Sequence, residues 1–194
     1  LPAMPILPIQ RDLFPENLLN DSGDHALGTA PDEHGHWVAF YTLARREKDL
    51  MRKLEAAAIP FYGPLVQRRL RTAGGRTRTS FVPLFSGYVF SKVDDDQRRA
   101  ALATNTISRW LSIPDERMLE HDLRSIHQLI ASDRPLTPEA RLEKGQPVRV
   151  VSGPMRGLEG VVISRRGEER LLVAVTFLNQ GASIELEDVD VERL

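Results

Sequence analysis

Five arginines, Arg68, Arg69, Arg71, Arg76 and Arg78, flank Gly74-Gly75. Arginine presents a planar fork of donors that fits phosphate and the edge of guanine. Around a flexible glycine tip, such residues make a phosphate-seeking arm; a solvated charge run is the ordinary alternative. A second set is aromatic: Trp37, Tyr41, Phe85, Tyr88 and Phe90 fall in two stretches that neighbouring strands could bring together. Aromatic anchors in a concave patch supply large contact area with little entropy to lose, as a binding hot spot requires. Plain core is the alternative, for Trp37 above all. Catalytic equipment is sparse. His34 and His36 precede the first strong strand pattern, and His121 and His127 are six apart, too far round a helix to share its face well. None makes a recognisable metal set with carboxylates. The glycines of Gly153-Pro-Met-Arg-Gly-Leu-Glu-Gly160 lack the lysine and hydroxyl of a phosphate loop. The residue types therefore point to binding, with no enzyme activity, cofactor or metal expected.

Charge is uneven along the 194 residues, whose net charge is -1. Residues 1–35 hold one basic and six acidic residues, residues 36–104 hold 13 basic and 6 acidic, and residues 105–194 hold 12 basic and 15 acidic. A nearly neutral chain can still present a local basic face to nucleic acid, and the middle segment carries it. Apolar content of 41% suffices for a packed core. No apolar run approaches the ~20 residues of a membrane span. The first residues lack a basic start and a continuous apolar stretch, unlike a secretory signal. Zero cysteine rules out disulfides and fits a reducing, cytoplasmic compartment.

The elements that must position these residues follow from periodicity. Residues 1–35, with Pro2, Pro5, Pro8 and Pro15, predict an extended acidic tail, either draped over its own domain or serving as a docking peptide. From His36, apolar residues on both alternating sets predict a doubly covered strand. Leu50, Met51 and Leu54 predict a helix over 45–58. Phe61–Leu70 and Thr77–Val93 read as strands joined by a hairpin at Ala73-Gly74-Gly75, the second interrupted at Pro83 and Ser86-Gly87. Asp94-Asp95-Asp96 opens a short helix that ends at Asn105, carrying Arg98 and Arg99. Ile107–Ile113 is a further strand, and Leu119, Leu123, Ile126 and Ile130 stripe a last helix. The order predicts an α+β sandwich of helices on an antiparallel sheet over 36–131. Residues 132–144, with Pro135 and Pro138, read as a linker. Residues 145–194 read as about five short strands, a small closed barrel. There, Gln146–Val150, a turn punctuated by Gly153, Gly157 and Gly160, and Val161-Val162 form a strand–turn–strand unit.

That unit, GQPVRVVSGPMRGLEGVV, resembles the KOW motif. With HWVAFYTLARREKDLMRKL, PLFSGYVF and FLNQGASIEL, residues 36–194 resemble the NusG family of transcription elongation factors, which pair an N-terminal NGN domain with a KOW (SH3-like) β-barrel. PLFSGYVF and the arginine hairpin resemble specialised antiterminator paralogues of the RfaH kind; Ser86 stands where the family pattern has proline. The resemblance implies a monomeric factor that binds the clamp helices of RNA polymerase through Tyr41, Phe85, Tyr88 and Phe90, with Arg99 near a second polymerase contact. It implies a hairpin, Arg68 to Arg78, close to the non-template DNA strand. It implies a barrel that recruits Rho or a small-subunit ribosomal protein through the loop at Phe177, Leu178 and Asn179. By alternation Phe177 reads as core, which leaves Leu178 as the exposed anchor. An RNA-binding or ribosome-associated KOW module is the competing reading; six basic against eight acidic residues in 145–194 weigh against it. The β-branched alternation of 148–186 predicts strands there, not a helical hairpin.

Overall fold

A computed structural model describes residues 10–20, 35–71, 75, 77–186 and 190–194. Residues 1–9 and 21–34 of the acidic tail, Ala73-Gly74 and Arg76 lie outside this set. The described chain forms two compact units that interleave in sequence. One comprises residues 10–18, 35–63 and 86–111; the other residues 19–20, 64–71, 75, 77–85, 112–186 and 190–194.

The first unit is built on a five-stranded sheet of order β1-β3-β6-β2-β7. Its strands are β1 (Leu13–Phe14), β2 (His36–Thr42), β3 (Phe61–Tyr62), β6 (Tyr88–Val93) and β7 (Ile107–Ser112). β2 pairs antiparallel with β6 from His36↔Val93 to Tyr41↔Tyr88. Both faces of β2 are covered: Trp37, Val38, Ala39, Phe40 and Thr42 are all buried. Helix α1 (Glu47–Ala56) buries Leu50, Met51 and Leu54 completely, each worth about 1.5–3 kcal/mol of apolar burial. Helix α2 (Asp95–Leu102) starts in a capping box. The Asp94 carboxylate accepts the Gln97 N–H at 2.8 Å, and the Gln97 side chain accepts the Asp94 N–H at 3.2 Å.

Regular structure begins before His36. Leu13 and Phe14 pair with Tyr62 and Phe61, Phe14 stacks on Phe61, and the Gly63 N–H donates to the Asp12 carbonyl at 2.8 Å. Leu13 and Leu19 are buried. For residues 10–20 the draped arrangement is the one observed. The strand expected over Phe61–Leu70 is two strands. At Gly63-Pro64 the chain leaves the sheet, and a Cβ at Gly63 would sit 2.6 Å from the Met51 sulfur.

In the second unit β4 (Leu65–Arg71) and β5 (Thr77–Pro83) form their own two-stranded sheet, in register from Leu65↔Pro83 to Arg71↔Thr77. Helix α3 (Glu116–Ala131) is capped by Asp115, whose carboxylate accepts the Met118 N–H at 2.9 Å. It buries Leu119, Leu123, Ile126 and Leu129, while Ile130 is only half-buried. The remaining strands are β8 (Thr137–Glu139), β9 (Gln146–Val150), β10 (Glu159–Arg165), β11 (Glu168–Val175), β12 (Gln180–Glu185) and β13 (Val191–Arg193). They make an antiparallel sheet of order β13-β9-β10-β11-β12-β8. Strands fill this region as expected, with one more than anticipated. The extra strand comes from the linker: Thr137–Glu139 pairs with Gly181–Ser183. A buried polar network holds it there. Arg170 donates to the Ser183 hydroxyl at 2.9 Å and to the Thr137 hydroxyl at 2.9 Å, while the Ser183 hydroxyl donates to Glu139 at 2.7 Å. Glu139 also pairs with Arg165 at 3.1 Å.

The strand–turn–strand unit is β9, a turn and β10. Val148 and Val150 are buried and alternate with exposed Arg149. Gly157 has φ +87°, which suits only glycine without strain, and a Cβ at Gly160 would lie 2.5 Å from the Leu172 carbonyl oxygen. Alternation along β11 does not separate an inner from an outer face. Leu171, Leu172 and Val173 are all buried because α3 packs against this strand.

Candidate functional site

Three surfaces carry the residues singled out above. The first, in the unit that contains β2 and β6, centres on Tyr41 and Tyr88. They are register partners at the end of the β2–β6 ladder. Their rings meet edge to face, with centroids 5.1 Å apart and planes at 63°, an arrangement worth ~0.5–1.5 kcal/mol beyond area burial. Both are half-buried. The Arg109 guanidinium on β7 lies 5.0 Å from the Tyr41 ring centroid, in cation–π range. The turn beneath them is fixed by backbone and by one carboxylate. Gly87 has φ +86°, and a Cβ there would come within 3.0 Å of the Tyr41 ring. Its carbonyl accepts the Thr42 N–H at 2.8 Å. Its own N–H donates to the Glu47 carboxylate at 2.7 Å, and Glu47 is buried. Glu47 is thus a positioning residue that sequence reading missed. Its local signal, an acid in the first turn of a helix, does not reveal a partner 40 residues away.

Phe85 and Phe90 do not form an exposed surface with the tyrosines. Both are core residues, 1% and 0% exposed. Phe90 sits mid-sheet, in register with Ala39 and Tyr62, whereas Tyr88 two residues earlier reaches the strand end. Trp37 is buried, as expected. Arg99 is exposed on α2 and pairs with Asp96. Its neighbour Arg98 pairs with Asp95 at 2.8 Å and lies 4.4 Å from the Trp110 ring centroid. Trp110 is partly exposed on β7 and was not anticipated.

The second surface is the β4–β5 hairpin. Arg68 and Arg69 are exposed on β4, Arg71 ends β4 and Arg78 lies in β5. Arg76 lies outside the described residues. The structure therefore places four of the five arginines on one paired hairpin. Phe81, opposite Gln67, is 40% exposed.

The third surface follows β11. Thr176–Leu178 forms a 3₁₀ turn, closed by exposed Asn179 in the left-handed region at φ 53°. Alternation therefore stops before Phe177, which is half-buried like Leu178 instead of core. The Thr176 N–H donates at 2.7 Å to the carboxylate of Asp122, a buried residue of α3. Burial raises the Asp122 pKa above its ordinary 3.8, against the lowering pull of Thr176.

His121 and His127 are exposed on α3. Among the described residues no group of three or more histidines and carboxylates could hold a metal ion, and no helix is long and apolar enough to cross a membrane.

Residues 35–129 match the model of the family described as "Transcription termination factor nusG". No curated protein matches the chain. Members of the matched family are transcription factors without enzyme activity, and they bind RNA polymerase.

Proposed function

We propose, from the match of residues 35–129 to the NusG family, that this chain is a NusG-family transcription factor, an elongation and antitermination factor of the specialised, RfaH-like kind. Residues 36–131 act as its NGN domain and residues 145–194 as its KOW domain. The observation that carries this reading is the Tyr41–Tyr88 pair, half-exposed at the end of the β2–β6 ladder and backed by Arg109. Such a pair offers rigid amphipathic anchors to the clamp helices of RNA polymerase. Phe90 contributes from the core, as part of the strand that carries Tyr88. Arg99 is the exposed cation assigned to a second polymerase contact.

The mechanism is differential binding. A ligand that prefers the closed, elongating state of polymerase shifts the population toward that state and suppresses pausing. The β4–β5 arginines add contacts to the non-template DNA strand. Phe177, Leu178 and Asn179 recruit Rho or a small-subunit ribosomal protein. The factor works in the cytoplasm as a monomer.

The test is retention of RNA polymerase by the full chain, wild type and Tyr88→Ala, followed by a pausing assay in vitro. Retention by wild type, weakened by Tyr88→Ala, with fewer paused complexes, supports the proposal. Failure of the wild-type chain to retain polymerase rejects it. RNA binding by a chain that ignores polymerase would favour a ribosome-associated module.

A further inference from the structure

Within the second unit an open groove runs between α3 and the sheet, and the proposed function does not use it. Its volume is about 590 Å³, within the ~300–1,000 Å³ range of small-ligand sites. Val161 and Leu172 are register partners on β10 and β11, and Pro147 faces Val161 from β9. Ala174 follows Leu172 at the two-residue spacing of a strand, so all share one face of the sheet and floor the groove. Met118, His121 and Ser125 fall on one stripe of α3, which makes the wall. Met118 is 47% exposed and Leu194, at the rim, 56%, so apolar surface faces water beside the groove.

The rim carboxylates each have a partner. Asp115 accepts the Met118 N–H at 2.9 Å, Asp122 accepts the Thr176 N–H at 2.7 Å, and Glu159 pairs with Arg149 at 2.6 Å. Arg117 and His121, both exposed at the lip, are left to meet a ligand. A guanidinium fork matches a carboxylate, and an imidazole N–H adds a donor. An apolar trough with such a lip is complementary to a hydrocarbon tail that ends in an anion. We propose that the groove binds a free single-chain amphiphile with a carboxylate head, of the fatty-acid class. The tail lies on Val161, Leu172 and Ala174 against Met118, and the carboxylate meets Arg117 and His121. Occupancy ties α3 to the β10–β11 face. Neither the tyrosine pair nor the arginine hairpin takes part, so the proposal stands apart from polymerase binding.

The experiment titrates the isotope-labelled full chain with sodium decanoate, below its micellar concentration, and follows amide NMR shifts. Saturable shifts at Met118, Val161, Leu172 and Ala174 are expected. Across hexanoate, octanoate and decanoate, affinity rises about 2- to 4-fold per methylene, the mark of tail burial. Arg117→Gln weakens decanoate about 2- to 5-fold, the range of an exposed ion pair. Ala174→Trp fills the trough and abolishes binding. Met118→Glu, at an exposed helix position, sets a like charge beside the head and weakens binding without burdening the core. Wild-type affinity in both Ala174→Trp and Met118→Glu overturns the site. Shifts that stay linear and scatter over the surface are detergent-like adsorption and overturn it too. Equal affinity for decyltrimethylammonium overturns the anionic head. If the chain pellets with phosphatidylglycerol vesicles but gives no shifts with decanoate, a membrane surface replaces the free ligand and the proposal falls.

Discussion

Removing the Glu47 carboxylate should loosen the tyrosine surface without touching it. Glu47 accepts the Gly87 N–H at 2.7 Å from a buried position. Hydrogen bonds to charged groups contribute roughly 1.5–3 kcal/mol. Gly87 is half-buried, so water can replace part of this bond, which favours the lower half of that range. The same carboxylate sits in the first turn of α1, where the helix dipole adds about 0.3–1 kcal/mol. Glu47→Ala should therefore cost the surrounding unit about 2–3 kcal/mol. At ~2–4 °C per kcal/mol for a chain of this size, its melting transition falls by roughly 4–12 °C. Hydrogen exchange at the Gly87 amide is the sharper assay: 2 kcal/mol corresponds to about 30-fold faster exchange through local opening. Glu47→Gln keeps an acceptor without its charge and should fall between. Polymerase retention should weaken with both, in the same order. A Glu47→Ala chain with an unchanged transition and unchanged Gly87 exchange would refute the positioning role. Faster exchange with undiminished polymerase retention would leave the turn structural and detach it from binding.

Tyr88→Ala should reduce polymerase retention while leaving the melting transition within a few degrees, because the ring is half-buried at a strand end. Phe90→Ala should instead unfold its unit, at about 3–5 kcal/mol for a fully buried ring, measured by denaturant titration. Asp122→Asn should raise stability at neutral pH. Burial raises the Asp122 pKa in the folded state, so the proton stabilises the fold below the unfolded value and that stabilisation is lost as pH rises through the folded value. The advantage of Asn over Asp should accordingly vanish in melts run below pH 3.8. A chain starting at residue 145 should be less stable than one starting at 132, by about 3 kcal/mol or more, since it lacks the β8 ladder and the Thr137 and Glu139 partners of Arg170 and Ser183. Equal denaturation midpoints for the two would contradict a structural role for β8.

The sequence discloses elements whose burial follows their own periodicity. Leu50, Met51 and Leu54 mark α1, the doubly apolar run marks β2, and Val148 and Val150 mark β9, because each stripe is completed by local spacing. It conceals elements made by a distant partner. Leu13-Phe14 and Thr137–Glu139 are too short, and too close to prolines, to announce themselves; pairing with Tyr62-Phe61 and with β12 makes them strands. The site divides in the same way. Tyr88 and Phe90 share an alternation, yet distance from the strand end leaves one half-exposed and the other in the core. At Phe177 the strand pattern gives out because the backbone turns at Thr176, where the Asp122 carboxylate takes the amide. The arginine hairpin is legible from composition, but the groove along α3 is not, since residues of β9, β10 and β11 complete it from farther along the chain.

The strand at Thr137–Glu139 also sets the length of a leash. α3 ends at Ala131 and β8 starts at Thr137, so only residues 132–136 span the gap that a free linker over 132–144 would have filled. Five residues reach at most about 17 Å when fully extended. The short connection fits the direct packing of α3 on β11. A protein captured by the KOW-like sheet would be held beside α3, so that its weak contacts with the helix would be made at high local concentration.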